Sequence, residues 1–328
     1  MGALRAGLIG IGMMGRHHAR VLGSLPGVDL VAVADPGGDV HGVAGGRPVL
    51  DSVEDLIAVG LDYAMVAVPT AYHEEIGLAL AAAGVHTMIE KPLAQDTTAS
   101  ERLAQAFESA GLVGAVGHIE RYNPALQQAR ARIEAGELGE VYQVVTRRQG
   151  PFPARIADVG VVKDLGTHDI DLTAWVTQQD FVSVAARTTH RSGREHEDMV
   201  SIVGLLSQGT ITNHVVNWLS PFKERITVIT GEKGSFVADT LTADLTFHAN
   251  GRIEQSWDAI SKFRGVSEGD LIRYAISKPE PLRTEHEQFR DAVLGRPADI
   301  VTMTQGLRTV RVAEAALESA RSGTTVAL

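Results

Sequence analysis

Three groups of residues in this chain have types and spacings suited to chemistry. The first is Gly10-Ile11-Gly12-Met13-Met14-Gly15, three glycines spaced G-x-G-x-x-G between an apolar run, Leu4–Ile9, and a helix-forming run that opens near Arg16. Strand, glycine loop and helix in that order cradle a pyrophosphate. Gly10 permits the tight turn. Gly12 has no Cβ, so main chain approaches the phosphates, with Met13 and Met14 inside the same loop. Gly15 lets the helix pack closely on the strand, and the helix N-terminus offers N–H groups and positive dipole to the anion. Asp35 follows Gly15 by 20 residues, at the end of a second apolar run, where a ribose-binding carboxylate is expected. A carboxylate there accepts hydrogen bonds from both ribose hydroxyls and repels a 2′-phosphate. Pro36, Gly37 and Gly38 bring no cation to receive one, so the expected cofactor is NAD rather than NADP.

The second group is Glu90-Lys91-Pro92, at the end of another apolar run. Lysine is usually a surface residue. Here Pro92 restricts Lys91 to extended conformations and directs it past the strand end, where a cation would stabilise a developing alkoxide. The third group is Asp164 and His168, four residues apart, which a helix places on one face. They are either a working pair or a surface ion pair that supports the helix. His17 and His18, in the first turn after the glycine loop, either touch the cofactor or pack. His190, His196, Glu197 and Asp198, and separately His286 between Glu285 and Glu287, are clusters without metal-ligand spacing. No metal site is expected.

The elements that must position these groups follow from apolar periodicity. In the first third, short apolar runs (Leu4–Ile9, Asp29–Ala34, Tyr63–Val68, Val85–Ile89, Leu112–Gly117) alternate with helical runs (Arg16–Leu25, Ser52 onward, Ala71–Ala83, Thr97–Ala110). That alternation predicts a parallel doubly wound sheet, whose ligands bind beyond the strand carboxyl ends. Gly10, Asp35, Pro69, Lys91 and His118 all fall there. From Val141 onward, consecutive strand-like runs with short turns predict a large, mainly antiparallel sheet, with helices at Pro124–Ala135, Asp164–Trp175, Glu285–Leu294 and Gln305–Ala320 and an irregular stretch over 249–281. The expected organisation is α/β: an N-terminal domain over 1–119 and a C-terminal α+β domain over 120–328.

A chain of 328 residues with 44% apolar and 21% charged residues is long enough for two cores. Its net charge of −10 argues against general nucleic-acid binding. With no cysteine, disulfides and thiolate chemistry are excluded. The first strand starts almost at the N-terminus and no apolar run is long enough for a bilayer, so the expectation is a cytoplasmic protein without membrane partners.

Glu90-Lys91-Pro92, preceded by Pro69-Thr70 and His73, resembles the glucose–fructose oxidoreductase / inositol dehydrogenase / MocA family. The resemblance continues through Gly117-His118-Ile119-Glu120-Arg121-Tyr122-Asn123-Pro124, through Asp164-Leu165-Gly166-Thr167-His168-Asp169-Ile170-Asp171 with its Asp, His and Asp pattern, and from Glu285 through Gly323. It implies a Rossmann N-terminal domain with Pro69, Thr70, His73, Glu90 and Lys91 adding to the NAD site, and a homodimer or homotetramer formed through the C-terminal sheet. It also implies that Lys91, Asp164 and His168 are the catalytic group for reversible oxidation of a secondary alcohol of a sugar or cyclitol. His168, which titrates near neutrality when unperturbed, is the expected acid/base, although some relatives are better described with the lysine as proton acceptor.

The stretch Arg147–Gly160 looks like members that oxidise the 3-hydroxyl of UDP-N-acetylhexosamine-type sugars. Arg121, Arg148 and Arg155 are candidate ligands of a diphosphate, or else surface residues. Asn123 and Lys163, with Asp164 and His168, complete the candidate substrate set. The alternatives are a dehydrogenase of a free sugar, an inositol or an aminosugar antibiotic, and a non-catalytic NAD-binding sensor. Asp35 generates a direct expectation: kcat/KM is at least roughly tenfold higher with NAD than with NADP, because juxtaposed like charges cost several kcal/mol. Equal turnover with both cofactors contradicts it.

Overall fold

The computed structural model describes residues 2–153, 159–251 and 268–328. The chain divides into two compact units, Met1–Ile119 with Pro279–Glu314, and Glu120–Lys278 with Ala315–Leu328.

The first unit is built on six strands: β1 (Leu4–Ile9), β2 (Val28–Ala34), β3 (Val49–Leu50), β4 (Tyr63–Val66), β5 (His86–Glu90) and β6 (Gly114–Gly117). Every pairing is parallel, in the order β3-β2-β1-β4-β5-β6. This is the doubly wound order, with its switch point between β1 and β4. A parallel sheet is covered on both faces, so its strands are continuous apolar runs; all four residues of β4 are buried.

On one face, Leu56 of α2 (Val53–Ala58), Leu80 of α3 (His73–Ala82) and Leu103 and Phe107 of α4 (Thr97–Ser109) form a core with Val301, Met303 and Val310. On the other, Ala19 and Leu22 of α1 (Gly15–Leu22) pack with Leu8, Leu30, Met65 and Phe289. Ser52 and Asp96 start α2 and α4 by accepting the N–H groups of Asp55 and Ala99.

The first break between the units falls between Ile119 and Glu120. Residues 279–314 belong with the first unit, because α7 (Pro281–Val293) and the start of α8 (Met303–Ser322) bury Phe289, Met303 and Val310 in its two cores.

The second unit carries a nine-stranded sheet. Its strands are β7 (Val141–Pro151), β8 (Phe181–Thr189), β9 (Met199–Leu206), β10 (Ile211–Asn217), β11 (Leu219–Gly231), β12 (Gly234–Asp239), β13 (Asp244–Asn250), β14 (Glu268–Arg273) and β15 (Val326–Ala327). The order is β14-β13-β12-β11-β7-β10-β9-β8-β15, antiparallel except between β7 and β10. On one face, Leu126 and Ala129 of α5 (Pro124–Glu134) and Leu172, Trp175 and Val176 of α6 (Thr167–Thr177) pack on Val144, Ile229, Phe236 and Leu245. Val203, Leu205, Ile211 and Val215 of β9 and β10 are exposed instead, with Leu205 directly opposite Ile211. The expected irregular stretch over 249–281 is corrected at β14, which pairs with β13. Its run Glu268–Arg273 is too short and too charged to stand out by periodicity.

Gly15 shows why the glycine spacing matters. A Cβ at this position would lie 2.0 Å from the Gly10 carbonyl oxygen. Gly15→Ala is therefore expected to destabilise the first unit by about 1–3 kcal/mol through overpacking, read as a lower thermal midpoint. An unchanged midpoint with unchanged NAD affinity contradicts the close strand–helix contact.

Candidate active site

In the first unit the glycine loop has the shape its sequence requires. Gly10 sits at φ +84°, and a Cβ there would lie 2.6 Å from the Ala67 carbonyl oxygen. A Cβ on Gly12 would meet no heavy atom within 4 Å. Gly12 is exposed, so this is the open side of the loop. The N-cap residue of α1, Met14, makes no side-chain capping bond, which suits the helix N-terminus to an incoming anion.

Asp35 stands at the end of β2. Its Oδ2 accepts the Ile11 N–H at 3.0 Å and its Oδ1 the Gly37 N–H at 2.8 Å. Each oxygen retains acceptor capacity, and the Ile11 bond ties Asp35 to the glycine loop. Arg47, the nearby basic residue in sequence, donates to the carbonyls of Leu30 and Ala44. These features fit NAD.

Pro69 and Thr70 follow β4, with Thr70 opening a short 3₁₀ turn. His73 was expected among the cofactor residues. It is buried, and its two ring nitrogens face the carbonyls of Pro92 at 2.9 Å and Val68 at 3.0 Å. Its place is that of a strut between the segments after β4 and β5. Burial lowers its pKa, against the two carbonyls and Glu90, which raise it. Lys91 is half-buried directly after β5, and its main-chain N–H donates to Glu90 Oε2 at 3.0 Å. Met13 is exposed and Met14 half-buried in the loop. His118 is buried after β6.

In the second unit, Lys163 and Asp164 lie in a π-helical turn, Val162–Gly166, that leads directly into α6 and His168. The regular helix expected from residue 164 is thus corrected by a wider turn over its first residues, a feature frequent at functional sites. Asp164 is buried and His168 half-buried. Glu197, from the polar cluster without metal-ligand spacing, anchors this segment: its Oε1 accepts the Val162 N–H at 3.0 Å and its carbonyl accepts the Val161 N–H. A Cβ on Gly160 would collide with its carboxylate. Gly160, two residues before the π-helical turn, was the available signal for this contact. Asp198 closes the adjoining loop by accepting the Ser192 N–H.

The arginines expected to bind a substrate anion have other partners. Arg121 is buried and forks onto both oxygens of Asp171, at 2.8 and 2.6 Å. Arg148 is buried between Asp169 at 3.0 Å and Glu120 at 2.8 Å. Each guanidinium thus gives at least two of its donors to carboxylates. Burial pushes the Asp169 carboxyl up to about 6 despite the Arg148 guanidinium. Asn123 caps α5 through the Ala125 N–H and donates to the Thr240 carbonyl. Arg155 lies outside the described residues.

Two family models match the chain. One, the oxidoreductase family with NAD-binding Rossmann fold, covers residues 4–118, and the other, the GFO/IDH/MocA C-terminal domain, covers 126–237. UDP-N-acetylglucosamine 3-dehydrogenase of Acidithiobacillus ferrooxidans is 32% identical over 64% of this chain and 66% of its own length. Its solved structure superposes with a TM-score of 0.87 at 26% identity, over 98% of this chain and 99% of that one. The scyllo-inositol 2-dehydrogenase (NAD(+)) of Bacillus subtilis is 31% identical over 56% of each chain. GenD2 from gentamicin A biosynthesis, in complex with NAD, has a TM-score of 0.81 at 27% identity, over 100% of this chain and 97% of that one. The sequence matches thus span less than two thirds of these curated relatives. On both family models, the chain belongs to the GFO/IDH/MocA oxidoreductase family, with an NAD-binding Rossmann domain as its N-terminal unit.

Proposed function

We propose that this chain is an NAD-dependent dehydrogenase that reversibly oxidises a secondary hydroxyl of a sugar, at C3 of a UDP-N-acetylhexosamine-type substrate. The observation that carries the reading is Lys91. It is fixed at the carboxyl end of β5 by its own N–H bond to Glu90, in the unit that holds the NAD cradle. The likeness to UDP-N-acetylglucosamine 3-dehydrogenase along nearly the whole chain supports the substrate.

NAD, when bound, supplies the hydride acceptor. Gly10, Gly12, Gly15 and the α1 N-terminus hold its pyrophosphate, Asp35 its ribose, and Pro69, Thr70 and Glu90 border the site. Lys91 donates to the reacting oxygen and stabilises its negative charge as the proton leaves. His168 takes that proton as general base and returns it in the reverse direction. Asp164, held in the turn that Glu197 anchors, orients the substrate.

A second reading, a free sugar, inositol or aminosugar as substrate, is favoured by one observation: Arg121 and Arg148 are already committed to carboxylates. No helix among the described residues is long and apolar enough to cross a membrane, which supports a cytoplasmic location. The exposed row Val203, Leu205, Ile211 and Val215 supports a homodimer or homotetramer through the nine-stranded sheet.

Cofactor reduction with UDP-N-acetylhexosamines, free sugars and inositols separates the readings. The expected result is turnover with the UDP-sugars, and a fall of roughly 10²–10⁴ in kcat for Lys91→Ala and for His168→Ala with NAD binding intact. Turnover of inositols alone replaces the substrate, and near-normal turnover of His168→Ala removes it as the base. Light scattering is expected to give a mass of two or four times 35.0 kDa. A monomer mass contradicts the sheet interface.

A further inference from the structure

Behind Lys91, within the first unit, lies a row of buried ionisable side chains that the proposed reaction does not use. His18 of α1 is fully buried, and His286 of α7 is 1% exposed. His18 Nδ1 lies 2.8 Å from His286 Nε2, and the rings meet edge to face. On its other side, His18 Nε2 lies 2.9 Å from Glu90 Oε1. The second oxygen of Glu90 accepts the Lys91 N–H at 3.0 Å. Three elements distant in sequence thus deliver one continuous chain of hydrogen bonds ending at Lys91.

The chemistry of the groups gives the chain a direction. Burial alone would raise the Glu90 carboxyl, but the His18 N–H and the Lys91 charge outweigh it and hold it below the usual carboxylate range. A carboxylate only accepts, so His18 Nε2 carries a proton. Burial keeps His286 neutral, with its pKa well below the ordinary value. The two contacts need one proton per ring, and that of His18 lies on Nε2, facing Glu90. Its Nδ1 is then an acceptor and His286 Nε2 the donor. His286 Nδ1 is left as a buried lone pair without a partner among the described residues. An apolar side chain would fill that place without the desolvation cost of the unmade bond, so the imidazole is there for its other nitrogen.

We infer that His286 and His18 are positioning residues for Lys91: His286 locks the tautomer of His18, and His18 locks the Glu90 carboxylate against the Lys91 main chain. The inference rests on Lys91 acting at the reacting oxygen. The charged and titratable groups that act on Glu90 are His18 from α1, His73 from α3 and Lys91 itself, with His286 from α7 behind His18. Without the His286 donor, His18 is free to move its proton to Nδ1. Glu90 then loses a hydrogen bond that favours its ionised form, and protonates at higher pH.

The test compares His286→Leu with His286→Gln, whose amide N–H can replace the lost donor. In His286→Leu the acidic limb of the kcat/KM profile steepens as Glu90 protonates below the limb set by His168, and kcat falls roughly tenfold while KM for NAD changes little. In His286→Gln the limb returns toward that of the unchanged protein. Equal profiles in all three proteins, or equal damage in both variants, overturn the inference. Histidine ¹⁵N spectra of the unchanged protein with NAD need no turnover. They are expected to show the proton on Nε2 of both rings, and a proton on Nδ1 of His286 overturns the arrangement. Those tautomers in a protein that turns over no sugar would instead count against the proposed reaction.

Discussion

Parallel pairing of six strands is the constraint on which the nucleotide-binding unit depends. It sends every strand in one direction, so the segments after β1, β2, β4, β5 and β6 all emerge along one edge. Gly10, Asp35, Pro69, Lys91 and His118 are therefore neighbours in kind before any side-chain contact is considered. The same pairing demands apolar cover on both faces. Residues 279–314 supply part of that cover far along the sequence, and they bring His286 to His18 as they do so. Packing and site electrostatics are thus consequences of one topological choice.

Buried charge in both units is handled by enclosure with partners. In the first unit, Glu90 is held between an imidazole and a main-chain N–H. In the second, Arg121 takes Asp171, and Arg148 takes Asp169 and Glu120. Breaking one member of such a group is costly because it strands the other in a low-dielectric interior. These arginines therefore read first as parts of the scaffold around α6, the helix that carries His168.

Much of the nucleotide-binding unit was legible in the sequence because its signals are local. The G-x-G-x-x-G spacing, an acid 20 residues on and five short apolar runs each belong to one contiguous stretch. What was not legible depends on distance in sequence. The return of α7 to the first unit has no local signature. Neither does the capture of Arg121 and Arg148 by carboxylates 50 and 21 residues away. The role of Glu197 was hidden because a buried anchor and a solvated turn have the same polar composition. The π-helical turn at Val162–Gly166 escaped because i, i+4 spacing is the same in a sequence whether or not the helix widens there.

The proposed hydride transfer from a sugar carbon to NAD is followed by transfer of an isotope. UDP-N-acetylglucosamine carrying deuterium only at C3 would be incubated with the protein and NAD, and the reduced cofactor recovered for mass spectrometry. The expected result is one deuterium in the nicotinamide of the reduced cofactor. Reduced cofactor formed without deuterium, or none formed from any sugar or inositol by a protein that binds NAD, would contradict it.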